Sequence, residues 1–317
     1  MFCVERIERL YQKLAAYQID CFAITNPINI YYLLGVDVSV GMLVVTHGQY
    51  ALYLDSRYTT VAREKGLKLE DTPLKERFKG RKKVVVEGAH CTFAQFEELQ
   101  ALYPETRFTS HMVVEELRMI KEPQEILFLR EAGRATAQMM RKVHEALHEG
   151  VSEEELEALV LHPSFHPIIA FGSKGAHIHH RPTSRRYKKG EALLLDLGVK
   201  RNHYMGDMTR TFYSPLAQRV EEAHDIAVAA CRPGVTVQEL TDLVKQKIPF
   251  KDHNLSHGIG LEVHERPLPR LDCDRPLEPN MCISIEPGLY EPGVGGARHE
   301  NMVLITQNGC EILTSEK

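Results

Sequence analysis

Four carboxylates in the second half of the chain close short apolar runs or follow them at short spacing. Asp196 follows Ala192–Leu195, and Asp207 comes 11 residues later within Gly206–Thr211. Glu286 follows Ile283–Ile285, and Glu300 comes 14 residues later, beyond the Gly-rich stretch Pro292–Gly296. A strand, a turn near 200–202 and a return strand would bring Asp196 beside Asp207. The same arrangement with a longer turn would join Glu286 to Glu300. His257, within His253–Leu261, adds one imidazole. Two Asp, two Glu and one His form an oxygen-rich donor set with a single nitrogen. Such a set suits Mn2+, Co2+, Fe2+ or Zn2+, and the lack of thiolate argues against a structural zinc. Four ionised carboxylates in one place repel one another, and two divalent cations would offset that charge. Two metals about 3.5–4 Å apart can share a hydroxide and clamp the attacking and developing oxygens, which is hydrolytic chemistry. Taken singly, each residue has a blander reading: a turn or cap Asp, a Glu-Pro-Gly turn, a hydrogen-bonded core His.

An internal repeat outweighs those single readings. Gly150–Val160 matches Gly234–Val244: Gly, Val, a hydroxyl cap, then Glu-Leu-x-x-Leu-Val. His179–Pro182 matches His264–Pro267, and Gly190–Gly198 matches Asn280–Gly288. The three offsets are 84, 85 and 90 residues, in the same order. The catalytic half therefore reads as a duplicated unit. Asp196 and Glu286 become equivalent strand ends, and His179 and His264 become equivalent to each other. His162, His166 and His177 gain nothing from the repeat and read as structural or surface residues. His180 is offset from the matched position and can at best act from behind the site.

The elements that must position these residues follow from periodicity. Val4–Tyr17 has helical spacing, and Ile19–Ile24 is a short strand running into a turn at Asn26-Pro27. Gly41–Thr46 and Tyr50–Leu54 form a hairpin, Arg57–Lys65 and Phe93–Tyr103 helices, and Lys83–Glu87 a strand. A long helix starts at Pro123 and ends near Leu147, before Gly150. This places a small α/β domain at 1–116 and the chemistry in 117–317. Length supports two domains: 317 residues, 43% hydrophobic and 26% charged. A formal charge of −4 excludes a strongly basic nucleic-acid binder, and no apolar run approaches a membrane span. Met1–Leu10 has no signal-peptide core, and seven Cys without a CxxC pair read as reduced thiols in a cytoplasm.

Asp196, Asp207, His257, Glu286 and Glu300, in that order, resemble the ligands of the pita-bread metallopeptidases, the family of methionine aminopeptidase, aminopeptidase P, prolidase and creatinase. Ser256–Glu265, Ile285–Gly288 and Asp207–Phe212 are highly specific to it. Asn26–Gly35 and Leu54–Tyr58 resemble landmarks of the creatinase-type N-terminal domain. The resemblance spans nearly the whole chain and favours aminopeptidase P or prolidase. It implies a mixed-sheet α/β domain followed by an α+β pita-bread domain, a duplicated, curved antiparallel sheet backed by helices. It also implies two divalent cations, Mn2+ first, with Asp196 binding one metal, Asp207 and Glu300 bridging, and His257 and Glu286 completing the other. Glu286 would also carry a proton from nucleophile to leaving amine. His264 and His179 match the family's substrate-binding and transition-state histidines. His253 matches a further histidine of proline-specific members, and Arg298 an arginine behind the ligands or on the substrate side.

The implied substrates are peptides with proline at the second position. An Xaa-Pro aminopeptidase is the leading expectation and a prolidase restricted to dipeptides the alternative; a metal-free binding protein on the same fold is remote, because all five ligands are kept. A homodimer follows by resemblance only. The segments 160–170 and 240–253 are shorter than in relatives. Asn254 replaces a usual Gly, and Ala297–Asn301 departs from the usual Val-Arg-Ile-Glu-Asp.

Overall fold

A computed structural model describes residues 2–315. The chain divides into two compact units, Met1–Arg118 and Met119–Lys317.

The first unit is built on a five-stranded sheet in the order β3-β2-β1-β4-β5, with β1 Cys21–Ile24, β2 Gly41–Thr46, β3 Gln49–Leu54, β4 Lys83–Glu87 and β5 Arg107–His111. β1, β2 and β3 pair antiparallel, whereas β4 joins β1 and β5 joins β4 in parallel. The tight β2–β3 turn uses Gly48 at φ 65°. Asn26-Pro27 does not make the expected turn. It starts a helix, Pro27–Leu34, in which Asn26 Oδ1 accepts from Ile28 N–H and Pro27 occupies the first turn. Glu87 fixes this start by accepting the backbone N–H of Thr25 and Asn26, each at 2.6 Å, and Asn29 Nδ2 at 2.6 Å.

The second unit holds three antiparallel pieces. β6 Ile168–Phe171, β7 Leu193–Leu197 and β8 Met208–Phe212 form one sheet in chain order. β9 Cys282–Ile285, β12 Asn301–Ile305 and β13 Cys310–Ile312 form another, ordered β13-β12-β9. β10 Gly288–Glu291 and β11 Gly295–Arg298 make a two-stranded ribbon. The bridge Thr209–Glu300 joins the start of β8 to the residue before β12. The helix Pro123–Glu145 buries Ala137, Met140 and Val143 against alternate residues of β7, namely Leu193, Leu195 and Leu197. The period of two turns Leu194 and Asp196 to the opposite face. β9 repeats the pattern: Ile283 and Ile285 enter the core with Val220, Leu240 and Val244 of the helices Ala217–Ala230 and Val237–Lys247, which leaves Ser284 and Glu286 on the other face. The duplicated helix starts are both capping boxes, Ser152 with Glu155 and Thr236 with Glu239. The first helix stops at Glu157 after one turn and a half, whereas its counterpart runs to Lys247.

Candidate active site

The carboxylate positions follow from strand pairing. In the first half Asp196 pairs with Thr209 and Leu197 with Met208, so Asp207 lies just past the ladder end. The turn is at Asn202 and His203, both at positive φ. Gly198 and Gly206 let the two strands approach: a Cβ on Gly198 would overlap the Gly206 carbonyl, and one on Gly206 would overlap Thr136 Oγ1. In the second half Ile285 pairs with Asn301, so Glu286 and Glu300 lie opposite each other just beyond that ladder. Each half thus delivers two carboxylates at the same end of a strand pair.

They converge. One ligand atom each from Asp207, His257 and Glu300 lie within 4.8 Å of one another, all three residues buried. His257 Nε2 stands 3.6 Å from Asp207 Oδ2, 3.5 Å from Glu286 Oε1 and 3.9 Å from Glu300 Oε1. Its Nδ1–H is placed to donate to Gly258 O at 3.1 Å, which turns the Nε2 lone pair toward the carboxylates. These side chains line a cavity of about 520 Å³ together with Asp196, Glu286, His179, His253, His264 and Arg298. The His264 ring meets His257 edge-on, with centroids 4.3 Å apart.

The electrostatics fit a cation centre. Burial, then Glu300, Asp196 and Glu286, pushes Asp207 well above the usual carboxylate range. Burial, then Glu300, does the same to Glu286. Glu300 is raised to about 8, by burial and then by Asp196. Burial pushes His257 down to about 3, with His264 adding to the shift. Carboxylates made less acidic by burial and by one another, beside an imidazole made less basic by burial, would be drawn to the ionised form by divalent ions. Asp196 gives a further sign: Oδ2 is held by Arg298 Nη2, whereas the buried Oδ1 accepts no hydrogen bond. Two Asp, two Glu and one neutral His with an open acceptor match the donor set expected of Mn2+, Co2+, Fe2+ or Zn2+.

Arg298 ties the site together from behind. Besides Asp196 it donates from Nε to Thr209 Oγ1 at 3.1 Å and from Nη1 to Tyr290 Oη at 2.7 Å. Burial works against its charge, but Tyr290 and the carboxylates outweigh that and hold it well above its ordinary value. Thr209 Oγ1 in turn donates to Glu300 Oε2 at 2.7 Å. His253 Nδ1 is 2.8 Å from the Asn254 carbonyl, so its Nε2 can accept from Tyr290 Oη at 2.9 Å. Ser284 Oγ lies 3.4 Å from Glu286 Oε1 and accepts the His257 N–H at 3.1 Å. Thr209, Tyr290 and Ser284 carried no signal of this in the sequence beyond standing on strands whose other residues did. His180 lines the cavity and is held from outside it: Nε2 bonds Glu153 Oε2 at 2.9 Å, and the same oxygen accepts Thr183 N–H and Oγ1–H.

Residues 128–307 match the model of metallopeptidase family M24. The chain belongs to this family. Residues 6–120 of this M24 chain match the creatinase/prolidase N-terminal domain. The chain is 32% identical to the Xaa-Pro dipeptidase of Pyrococcus furiosus, over 98% of its own length and 97% of that protein's. It superposes on the crystal structure of the prolidase from Pyrococcus horikoshii with a TM-score of 0.91, at 29% identity and with 99% of each chain covered. With the X-Pro aminopeptidase from Thermotoga maritima the TM-score is 0.86 at 26% identity, covering 98% of this chain and 97% of that one. The architecture is the pita-bread fold with a creatinase-type N-terminal domain. Among the described residues, no helix of this M24 chain is long and apolar enough to cross a membrane.

Proposed function

We propose that this chain is a dinuclear-metal Xaa-Pro dipeptidase. The observation that carries the reading is the cluster of Asp207, His257 and Glu300 in a cavity that Asp196 and Glu286 also line, with Asp196 Oδ1 left without a donor. The order of the two sequence-based expectations is reversed here. Relatives of nearly equal length that are named Xaa-Pro dipeptidase or prolidase favour the dipeptide-restricted enzyme over the aminopeptidase.

Asp196, Asp207, His257, Glu286 and Glu300 would hold the cations, with Mn2+ the first choice. Two divalent ions there would acidify water to give a nucleophile at neutral pH and would polarise the scissile carbonyl. The chain's own groups handle orientation and protons. Glu286 has a raised proton affinity, and its Oε2 lies 3.7 Å from His253 Nδ1. That suits a carboxylate that takes a proton from the nucleophile and passes it to the prolyl nitrogen. Burial, and then His179, lowers His264 and so favours the neutral ring, which would present an N–H to the carbonyl oxygen as negative charge develops there. His179 and His253 would line the side that receives proline. An Xaa-Pro bond is a tertiary amide without an N–H, so a site that grips carbonyl and ring suits it better than one that grips an extended backbone. The reading also carries a cytoplasmic homodimer and a domain boundary near residue 116.

The test is hydrolysis of Ala-Pro and Ala-Pro-Ala by metal-stripped enzyme, with and without Mn2+, beside an Asp207→Ala control. Metal-dependent cleavage of Ala-Pro alone, lost in the control, is expected. Cleavage of the tripeptide would move the assignment to an aminopeptidase. Cleavage of neither peptide with any divalent ion would overturn the proline-peptidase reading.

A further inference from the structure

Besides its histidines, the cavity has two basic residues among the described ones that line it, Arg181 and Arg298. They differ in what they hold. Arg298 is 2% exposed and commits Nε, Nη1 and Nη2 to Thr209, Tyr290 and Asp196. Arg181 is exposed, and among the described residues its side chain makes no hydrogen bond or ion pair. Its backbone, by contrast, is anchored on both sides. His180 Nε2 bonds the buried Glu153 Oε2 at 2.9 Å, and Thr183 N–H and Oγ1–H donate to the same oxygen at 3.0 and 2.8 Å. His180 N–H also closes onto the His177 carbonyl at 3.0 Å. Pro182 follows directly and disfavours helical backbone at Arg181. An unengaged guanidinium is thus carried at the cavity by an anchored loop, two residues after His179.

We propose that Arg181 is a specificity-determining residue that receives the C-terminal carboxylate of an Xaa-Pro dipeptide. This role rests on the dipeptidase reading above and deepens it by naming the group that senses substrate length. A dipeptide brings a carboxylate directly on the proline. The divalent ions expected at Asp196, Asp207, Glu286 and Glu300 are matched by those ligands, so the substrate's own carboxylate needs a separate positive partner. Arg298 is already engaged from behind the ligands, which leaves Arg181. A guanidinium fork takes a carboxylate through two parallel N–H···O bonds. A C-terminal amide has neither the charge nor the second oxygen. In a tripeptide the carboxylate stands one residue further on, displaced by about 3.5 Å. The fork then meets a neutral peptide group where the dipeptide offers an anion. Water at the exposed guanidinium screens the pair, so the expected discrimination is about 10- to 30-fold, at the lower end for hydrogen bonds to charged groups.

The test assays the full-length, Mn2+-loaded enzyme on Ala-Pro and on its C-terminal amide, Ala-Pro-NH2, with Arg181→Met and Arg181→Lys beside wild type. Arg181 is exposed, so both variants should fold, and equal melting midpoints check this. Wild type should prefer Ala-Pro to the amide by about 10- to 30-fold in kcat/KM. Arg181→Met removes the charge and should raise KM for Ala-Pro by that factor, bringing the two substrates within about threefold of each other. Arg181→Lys keeps a charge without the fork and should restore part of the preference. With wild type active on Ala-Pro, an unchanged preference in Arg181→Met, an equal fall on both substrates, or no preference in wild type would overturn the role of Arg181 and leave the dipeptidase reading standing. Failure of wild type to cleave Ala-Pro with any divalent ion would overturn both.

Discussion

Replacing Thr209 by valine exchanges one hydroxyl for one methyl and leaves the volume of the side chain nearly unchanged. Thr209 is fully buried, so no water can take the hydroxyl's place without rearrangement. The hydroxyl donates to Glu300 Oε2 at 2.7 Å and accepts Arg298 Nε–H at 3.1 Å. Arg298 is a charged partner, Glu300 becomes one when it ionises, and hydrogen bonds to charged groups contribute about 1.5–3 kcal/mol each. In the metal-free protein Glu300 holds a proton up to about pH 8, so the loss falls mainly on Arg298. With divalent ions bound Glu300 must be a carboxylate, and the missing donor then weakens the ligand. The net cost to binding should be about 1.4–2.8 kcal/mol, a 10- to 100-fold fall in Mn2+ affinity. Titration against a chelator of known affinity measures this, with urea unfolding of the metal-free variant run in parallel. Affinity within threefold of wild type, accompanied by a loss of metal-free stability, would refute the reasoning: Thr209 would then be a packing residue that happens to touch Glu300.

Further outcomes are expected elsewhere. Glu153→Gln should loosen the segment from His180 to Thr183 and lower kcat/KM about 10-fold, since His179 adjoins that segment; unchanged kinetics on Ala-Pro would sever the link. Lys121→Met removes one partner of a fully buried pair, 2.8 Å from Glu265 Oε1, and should cost about 3–5 kcal/mol in urea unfolding; a loss below about 1 kcal/mol would show that the pair is compensated. His224 and His299 are held at about 4 and about 2 by burial, so both fold neutral. Their contribution to stability is complete above about pH 6.5 and declines as the pH falls below it, by about 3 kcal/mol for His224 on reaching pH 4. His224→Gln should flatten that acid limb in thermal melts, and an unchanged limb would rule His224 out as its cause.

The candidate ligands stood out in the sequence because their types and order point to one chemistry. Asp196 and Glu286 end apolar runs, strand alternation decides which face they take, and the repeat marks them as equivalent. The hydroxyls behind them were not legible. Thr209 and Ser284 look like ordinary strand residues, and only the bridge between residue 209 and residue 300 reveals what Thr209 touches. Asn26-Pro27 was misread because the same dipeptide serves a turn or a helix start; the choice is made by Glu87, 61 residues away from Asn26. β5 was missed because Arg107–His111 is polar and half-exposed, and its strand character comes from its pairing with β4. Glu153 was noticed only as part of a cap motif. Its grip on His180 and Thr183 is tertiary and leaves no local pattern.

The doubled strand pair has a consequence for how the centre assembles. Each half brings two carboxylates, so one half alone could complete the cluster only by meeting a second copy. Fusing the halves in one chain replaces a bimolecular encounter by an intramolecular one, with an effective concentration in the millimolar range or above. Fusion also frees the halves to differ. The position seven residues before His264 is the imidazole His257, whereas the position seven before His179 is Gly172. A symmetric pair of identical chains would present both metals with the same donors; a single chain can give one of them a nitrogen and leave the other to oxygen alone.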